Sequence, residues 1–324
     1  MIIITGGAGL IGSAMAWKLN QEGITDIWIV DNLNATEKWK NLVPLKYREY
    51  IHKDDFLKLV ERDELPQTTT AIIHMGACSA TTELDMDYLF HNNVHYTCQL
   101  AKWCADHHAR FIYASSAATY GNGELGFSDM MDISPLRPIN RYGYSKQFFD
   151  LWARDNDLLD KIVGLKFFNV FGPNEYHKQD MRSVVCKAYQ QIFDTQRLSL
   201  FKSYLPDYAD GEQMRDFVYI KDCVDVMWWL LQHPRVNGLY NVGTSHARSW
   251  NDLARAIFKA LELPAQIDYI EMPEGLKRQY QYYTKADMTK LNQQGYTGSF
   301  LSLEDGVYDY VTEYLDKADR KLGD

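Results

Sequence analysis

Short apolar runs alternate with longer amphipathic stretches over the first half of the chain. Ile2–Thr5, Ile27–Val30, Ala71–Met75, Arg110–Ser115 and Lys161–Phe168 read as strands. They show little polar alternation, the pattern of strands covered on both faces. Between them, Leu10–Glu22 predicts a helix with Ile11, Met15 and Leu19 on one face, stopped by Gly23. Leu89–Asp106 and Gly143–Asn156 predict two more helices. Strands alternating with helices imply an α/β fold built on a doubly wound parallel sheet, with any ligand at the carboxyl ends of the strands.

After Gly172-Pro173 the pattern changes. Residues 174–215 read as polar and irregular apart from a helix over Val184–Asp194. Asp216–Ile220, with the helix after it, reads as a return to the core sheet, and Gly238–Gly243 as a further strand. The tail from Trp250 predicts two helices separated by the aromatic segment Gln279–Thr284. There is no repeat, low-complexity tract or flexible linker. The expected organisation is a dinucleotide-binding domain over 1–168 plus about 216–245. A smaller, interleaved α/β substrate domain takes about 169–215 plus 246–324.

Composition narrows the function. A formal net charge of −9 argues against binding nucleic acid through phosphate neutralisation. The apolar run Val226–Leu231 is too short to span a bilayer, and the chain starts in a strand where a signal peptide would need a basic segment. The five cysteines show no C-x-x-C spacing. They read as reduced residues, with no metal expected, in a protein of the cytoplasm.

The strongest chemical signal is the first turn. Gly6, Gly9 and Gly12 are spaced G-x-x-G-x-x-G between a strand and a helix, and Asp31 closes the next strand. This is a Rossmann-type dinucleotide signature: the turn passes close to a pyrophosphate, and the helix N-terminus offers it free N–H groups. Further along, Tyr113–Gly121 ends a strand in Ser115 and Ser116, and Tyr142-x-x-x-Lys146 opens a helix. Residues four apart share a helix face, so an ammonium beside Tyr142 would favour its phenolate as a base. Ser116 could bond the same substrate hydroxyl, and Lys146 the nicotinamide ribose. Asn92 sits in the helix after Ala71–Met75.

Together with Asn169 and Gly172-Pro173, these motifs resemble the extended short-chain dehydrogenase/reductase family over essentially the whole chain. Its members act mostly on nucleotide sugars and recycle a tightly bound nicotinamide within each turnover. Gly76–Glu83 and Phe168–Lys178 resemble more narrowly the branch that epimerises an ADP-linked heptose. That resemblance implies transient oxidation at C6″, with Tyr142 and Lys178 handling protons on opposite faces. It places the cofactor against Gly6, Gly9, Leu10, Ile11 and Gly12, against Asp31, Asn32, Lys38 and Lys53, and against Met75, Gly76, Ala77, Cys78 and Ser79. Asn92, Lys146, Val170 and Lys178 complete that set. Ser116, Asn169, Asp180, Lys187, Phe201, Arg215 and Tyr280 are assigned to substrate. Departures from the branch pattern fall at Gln179-Asp180, Lys187 and 202–213.

Asp31 favours NAD by bonding a free ribose, whereas Lys38 and Lys53 match residues that hold the 2′-phosphate of NADP. The reading leans to NADP with NAD tolerated. A homo-oligomer serving lipopolysaccharide heptose supply is expected by the same resemblance. Two alternatives remain open: another nucleotide-sugar epimerase such as a UDP-hexose 4-epimerase, and a non-catalytic NAD(P)-binding regulatory protein. A 4,6-dehydratase would carry an acidic pair where this chain has Ser116-Ala-Ala-Thr119.

Overall fold

The computed structural model describes residues 1–277 and 280–324, so Gln279, the expected start of the aromatic segment, lies outside the described residues. The first half runs β1 (Ile2–Thr5), α1 (Leu10–Gln21), β2 (Ile27–Asp31), β3 (Glu49–His52), α2 (Lys53–Glu61), β4 (Ala71–His74), α3 (Met86–Leu89), α4 (Tyr96–Asp106), β5 (Arg110–Ser116) and α5 (Arg141–Asp155). The second half runs β6 (Val163–Phe167), β7 (Asn169–Phe171), α6 (Val184–Thr195), β8 (Leu198–Phe201), β9 (Met214–Tyr219), α7 (Ile220–Gln232), β10 (Gly238–Val242), β11 (Ala247–Ser249), α8 (Trp250–Ala260) and β12 (Ile267–Ile270).

The main sheet has seven strands in the order β10-β6-β5-β4-β1-β2-β3, all parallel. Successive strands leave β1 in one direction through β2 and β3, and in the other through β4. The reversal between β1 and β4 opens a crevice at their carboxyl ends, where doubly wound sheets bind ligands. The residues of β1, β4 and β6 are buried throughout, His74 and Lys166 included, as their largely apolar runs predict. Helix α1 packs against α7, so it buries Gly12, Ser13, Ala14 and Ala16 as well as Met15 and Leu19.

One expectation is overturned. Asp216–Ile220 does not return to the core sheet: β9 pairs with β7 in parallel and β11 in antiparallel, forming a separate three-stranded sheet. The cause is Asp216, whose buried carboxylate accepts N–H bonds from Thr244, Ser245 and Ala286 and so binds β9 to the chain leaving β10. The helix after it, α7, does pack on α1 and β5. Residues 174–215 also hold a strand the pattern hides, β8, which pairs with β12. The long helix expected after β4 is divided by a π turn at Phe90–His95, which carries Asn92 and Asn93.

Candidate active site

The turn after β1 is a cradle that side chains would fill. A Cβ on Gly12 would stand 2.2 Å from the Gly6 carbonyl oxygen, so α1 can begin this close to the strand only with glycine there. Gly9 caps α1 without a side-chain bond, leaving the first-turn N–H groups to a ligand. Asp31 fastens this turn: Oδ2 accepts from the Ala8 N–H at 2.8 Å. Its Oδ1 accepts from the Asn32 N–H and from Lys38 Nζ, both at 2.7 Å.

Beside Asp31 lies a pocket of about 160 Å³ lined also by Asn32, Lys38, Lys53, Cys78 and Asn92. Lys53 Nζ donates to Asn92 Oδ1 at 3.3 Å. Asn32 Oδ1 is buried with no partner, which a bound polar group would satisfy. The pocket's two lysines suit an anion. The cradle, the helix end and this orphaned acceptor fit the adenosine half of a nicotinamide dinucleotide.

The cradle opens into a cavity of about 550 Å³. It is lined by Gly6, Gly9, Leu10, Ile11 and Gly12, by Met75, Gly76, Ala77 and Ser79, and by Lys146, Val170 and Lys178. A second cavity of about 1030 Å³ is lined by Arg215, Trp250, Tyr280 and Gln281. Ser116, Tyr142 and Asn169 line both cavities. With Phe167, Phe168, Val184 and Trp250, which also line both, they form the wall across which a group in one cavity can reach a group in the other.

Local structure brings that wall together. Asn140 caps α5 by accepting from the Gly143 N–H at 2.7 Å, which sets Tyr142 in the first turn. A Cβ on Gly143 would stand 2.8 Å from the Ala118 carbonyl oxygen, so the glycine lets α5 press onto the turn after Ser116. Ser116 Oγ accepts from the Ala118 N–H at 3.1 Å. Lys146 Nζ donates to the Ala114 carbonyl at 2.8 Å.

The electrostatics differ from the sequence expectation at one point. Tyr142 is held above its ordinary pKa, because burial penalises the phenolate more than the contact with Ser116 favours it. Lys146 is pushed down to about 8 by burial, against the pull of Asp150. Lys178 is also lowered by burial, with the Glu175 carboxylate opposing. Arg215 donates to the Met214 carbonyl at 2.8 Å and to the Gln281 carbonyl, with its guanidinium 5.2 Å from the Tyr280 ring and 5.7 Å from the Trp250 ring. Trp250 Nε1 in turn donates to the Tyr280 hydroxyl at 2.8 Å.

Three expected substrate residues are not brought to these cavities. Asp180 and Lys187 are exposed and bond each other, Lys187 Nζ donating to the Asp180 carbonyl at 3.2 Å. The backbone at Gln179, with φ of 48°, precedes them in a turn that leaves Asp180 outside both linings. Phe201 is paired with Ile270 in the two-stranded sheet, also outside both linings. Sequence reasoning missed His177 and Trp250, which line the cavities, and Asn93. Asn93 bonds both the N–H and the carbonyl of Cys78, at 2.8 and 3.0 Å, and donates to Ser145 Oγ at 3.1 Å. It thereby ties the loop after β4 to α5. Its place beside Asn92 was the only available signal. Among the described residues no cluster of His, Cys, Asp and Glu could hold a metal ion, and no helix is long and apolar enough to cross a membrane.

Comparison with known proteins gives the family. The model of the NAD dependent epimerase/dehydratase family matches residues 2–243. A curated relative from Nitratidesulfovibrio vulgaris strain DP4, named ADP-L-glycero-D-manno-heptose-6-epimerase, is 58% identical over 320 residues, covering 98% of this chain and 99% of its own. A Fusobacterium nucleatum relative of the same name is 49% identical, covering 99% of this chain and 100% of its own. The crystal structure of the Helicobacter pylori protein of that name matches with a TM-score of 0.79 at 29% identity, covering 96% of this chain and 95% of that one. A Thermus thermophilus UDP-glucose 4-epimerase solved with NAD matches with a TM-score of 0.75 at 23% identity, covering 96% and 97%. That last likeness shows the fold alone.

Proposed function

Because the chain belongs to the NAD dependent epimerase/dehydratase family, we propose that the wall of Ser116, Tyr142 and Asn169 is its reaction centre. The activity is epimerisation of a nucleotide sugar, an ADP-linked glycero-manno-heptose inverted at C6″. The observation that carries the chemistry is that, among the residues lining both cavities, these three bring hydroxyl and amide groups. Full-length likeness to the heptose epimerases supplies the sugar.

When bound, the nicotinamide supplies a reversible two-electron oxidation of the sugar carbon. The chain's own residues do the rest. The glycine cradle and the end of α1 hold the diphosphate, and Lys146 holds the adjoining ribose. Tyr142 exchanges a proton with the C6″ hydroxyl oxygen, oriented by Ser116. Lys178, which also lines the cofactor cavity, handles the proton on the opposite face; its lowered pKa suits a lysine that gives and takes protons. Arg215 and Tyr280 receive the ADP diphosphate.

NADP is the assigned cofactor, with NAD accepted. Lys38 and Lys53 supply cations for a 2′-phosphate, and the Asp31 charge that would repel it is offset by Lys38 at 2.7 Å. The Lys38→Ala variant should weaken NADP binding about tenfold more than NAD binding; equal losses would remove the assignment. A cytoplasmic homo-oligomer supplying heptose for lipopolysaccharide is the setting we assign.

The deciding experiment is incubation of purified protein with ADP-D-glycero-D-manno-heptose without added nicotinamide, followed by proton NMR at C6″. Inversion establishes both the substrate and a carried, recycled cofactor. No inversion, even with NADP and NAD supplied, would move the activity to another nucleotide sugar.

A further inference from the structure

Lys178 sits in a segment with little structure of its own. Tyr176–Met181 is a single 3-10 stretch, broken at Gln179 by a φ of 48° and ψ of −122°. Such a segment cannot fix a side chain through its internal bonds alone, and its restraints come from elsewhere in the chain.

Asn41 supplies the first. It lies in the 3-10 stretch Glu37–Leu42 with Lys38, yet it is only 2% exposed. Its Nδ2 donates to the Ala8 carbonyl of the glycine turn at 2.9 Å and to the Asn174 carbonyl at 2.8 Å. Two carbonyl partners identify this atom as the amide nitrogen. His177 Nδ1 lies 3.4 Å from the same nitrogen. Burial and the neighbouring Lys178 and Lys38 push His177 down to about 4, so it is neutral at physiological pH.

Asn174 supplies the second. It is fully buried, with a left-handed φ of 77°. Its Nδ2 donates to Ser13 Oγ on α1 at 2.9 Å, and its Oδ1 accepts from the Leu322 N–H at 3.1 Å. One asparagine thus joins the glycine turn to the Lys178 segment, and the other joins that segment to α1.

We propose that Asn41 and Asn174 form an interlock that positions Lys178 against the cofactor cavity and couples cofactor retention to proton transfer. The proposal rests on the reading of Lys178 as an acid/base group. Neither asparagine is a catalytic residue; both act through the segment they hold.

The test uses Asn41→Ala, Asn174→Gly, Lys178→Met and the Asn41→Ala/Lys178→Met double variant. Glycine at 174 keeps the left-handed backbone and removes only the amide. Three quantities are read: steady-state epimerisation, nicotinamide retained per chain after gel filtration, and melting temperature. Either asparagine variant should lose about 10- to 100-fold in kcat, with KM for the ADP-heptose within about twofold, and retain less than about half the nicotinamide. The double variant should be no slower than Lys178→Met. A double variant slowed by the product of the two single effects would overturn the proposal, because a general structural defect adds where a positioning effect saturates. If Lys178→Met turns over like the parent, the reading of Lys178 fails instead. The interlock is then decided by retention: full nicotinamide content in Asn41→Ala overturns it. If Asn41→Ala does not fold, Asn174→Gly decides by the same criteria.

Discussion

Lys146 stands one helical turn beyond Tyr142 on α5, its Nζ 6.0 Å from the centre of the Tyr142 ring and bonded at 2.8 Å to the Ala114 carbonyl. The ammonium is thus anchored to β5 and faces the ring without bonding it. Tyr142 is half-buried, raised in pKa and in contact with Ser116, so its hydroxyl is a proton carrier in the wall between the two cavities. Removing that hydroxyl should lower epimerisation by roughly 10²- to 10⁴-fold. The ring remains to line the cavity, so Tyr142→Phe should carry as much nicotinamide as the parent. Unchanged turnover would remove the assigned role.

The same pair sets an expectation for pH. Lys146 is pushed down to about 8, so it is cationic below that value and neutral above it. A cation is what the proposed reading uses to hold the ribose. The parent's kcat/KM should therefore fall as pH rises through about 8. Arginine stays protonated throughout this range. In Lys146→Arg the alkaline fall should move upward, even if absolute activity drops through the change of shape. A fall at the same pH in both proteins would assign it to another group.

Gly12→Ala addresses the cradle. The added methyl would meet the Gly6 carbonyl oxygen at 2.2 Å, a contact that only a backbone shift can relieve. The shift would occur where the diphosphate lies. Nicotinamide content after gel filtration should fall well below that of the parent, with the fold retained by circular dichroism. Full retention would mean that the helix end has another way to approach its ligand.

These sites differ in how far the sequence exposes them. Gly12, Tyr142 and Lys146 are legible because local spacing carries their meaning: a glycine triplet between strand and helix, and two residues four apart. The unbroken apolar strands that build the main sheet are legible for the same reason. Asn41, Asn93 and Asn174 are not, because their partners lie at sequence separations that no local pattern records: 133 residues from Asn41 to Asn174, 148 from Asn174 to Leu322. Strand β9 reads correctly as a strand and is placed in the wrong sheet, since the N–H groups that Asp216 binds come from Thr244, Ser245 and Ala286, far along the chain. Asp180 and Lys187 rest on the resemblance alone, and there the chain departs from the pattern it resembles.

His74 gives stability an acid limb. It is fully buried at the end of β4, stacked near Tyr96 and Phe111, and pushed down to about 3 by desolvation. The Thr97 hydroxyl donates to the Asn93 carbonyl at 2.7 Å, so His74 Nε2 donates to Thr97 at 2.9 Å. Its Nδ1 then accepts from the Thr5 hydroxyl at 2.5 Å. Between about 6.5 and about 3 the unfolded chain binds a proton that the native histidine refuses, so this contribution is lost as pH falls. His74→Gln should be less stable than the parent at neutral pH. The gap should narrow by roughly 3 kcal/mol between about pH 7 and about pH 4, measured by urea unfolding. A gap independent of pH would show that the native site accepts the proton.

Beneath the reaction centre, Lys166 and Asp150 form an ion pair at 2.8 Å with side chains 1% and 0% exposed. Both ends make further bonds. Asp150 also accepts from the hydroxyls of Tyr113 and Ser115, each at 2.8 Å, and Lys166 also donates to Thr119 Oγ1 at 2.7 Å. A buried pair this well bonded is costly to halve and need not be costly to replace, because the expense lies in an unpaired charge and not in the loss of attraction. Lys166→Met should therefore destabilise the protein by about 3–5 kcal/mol in urea unfolding. Asp150→Asn/Lys166→Met removes both charges and keeps an acceptor for one of the two hydroxyls, so the double variant should be more stable than Lys166→Met alone. A double variant less stable than the single would mean that Asp150 is needed as a charge. Ser115 adjoins Ser116, so the turnover of the double variant, once folded, would then report whether that charge serves the reaction wall or only the core beneath it.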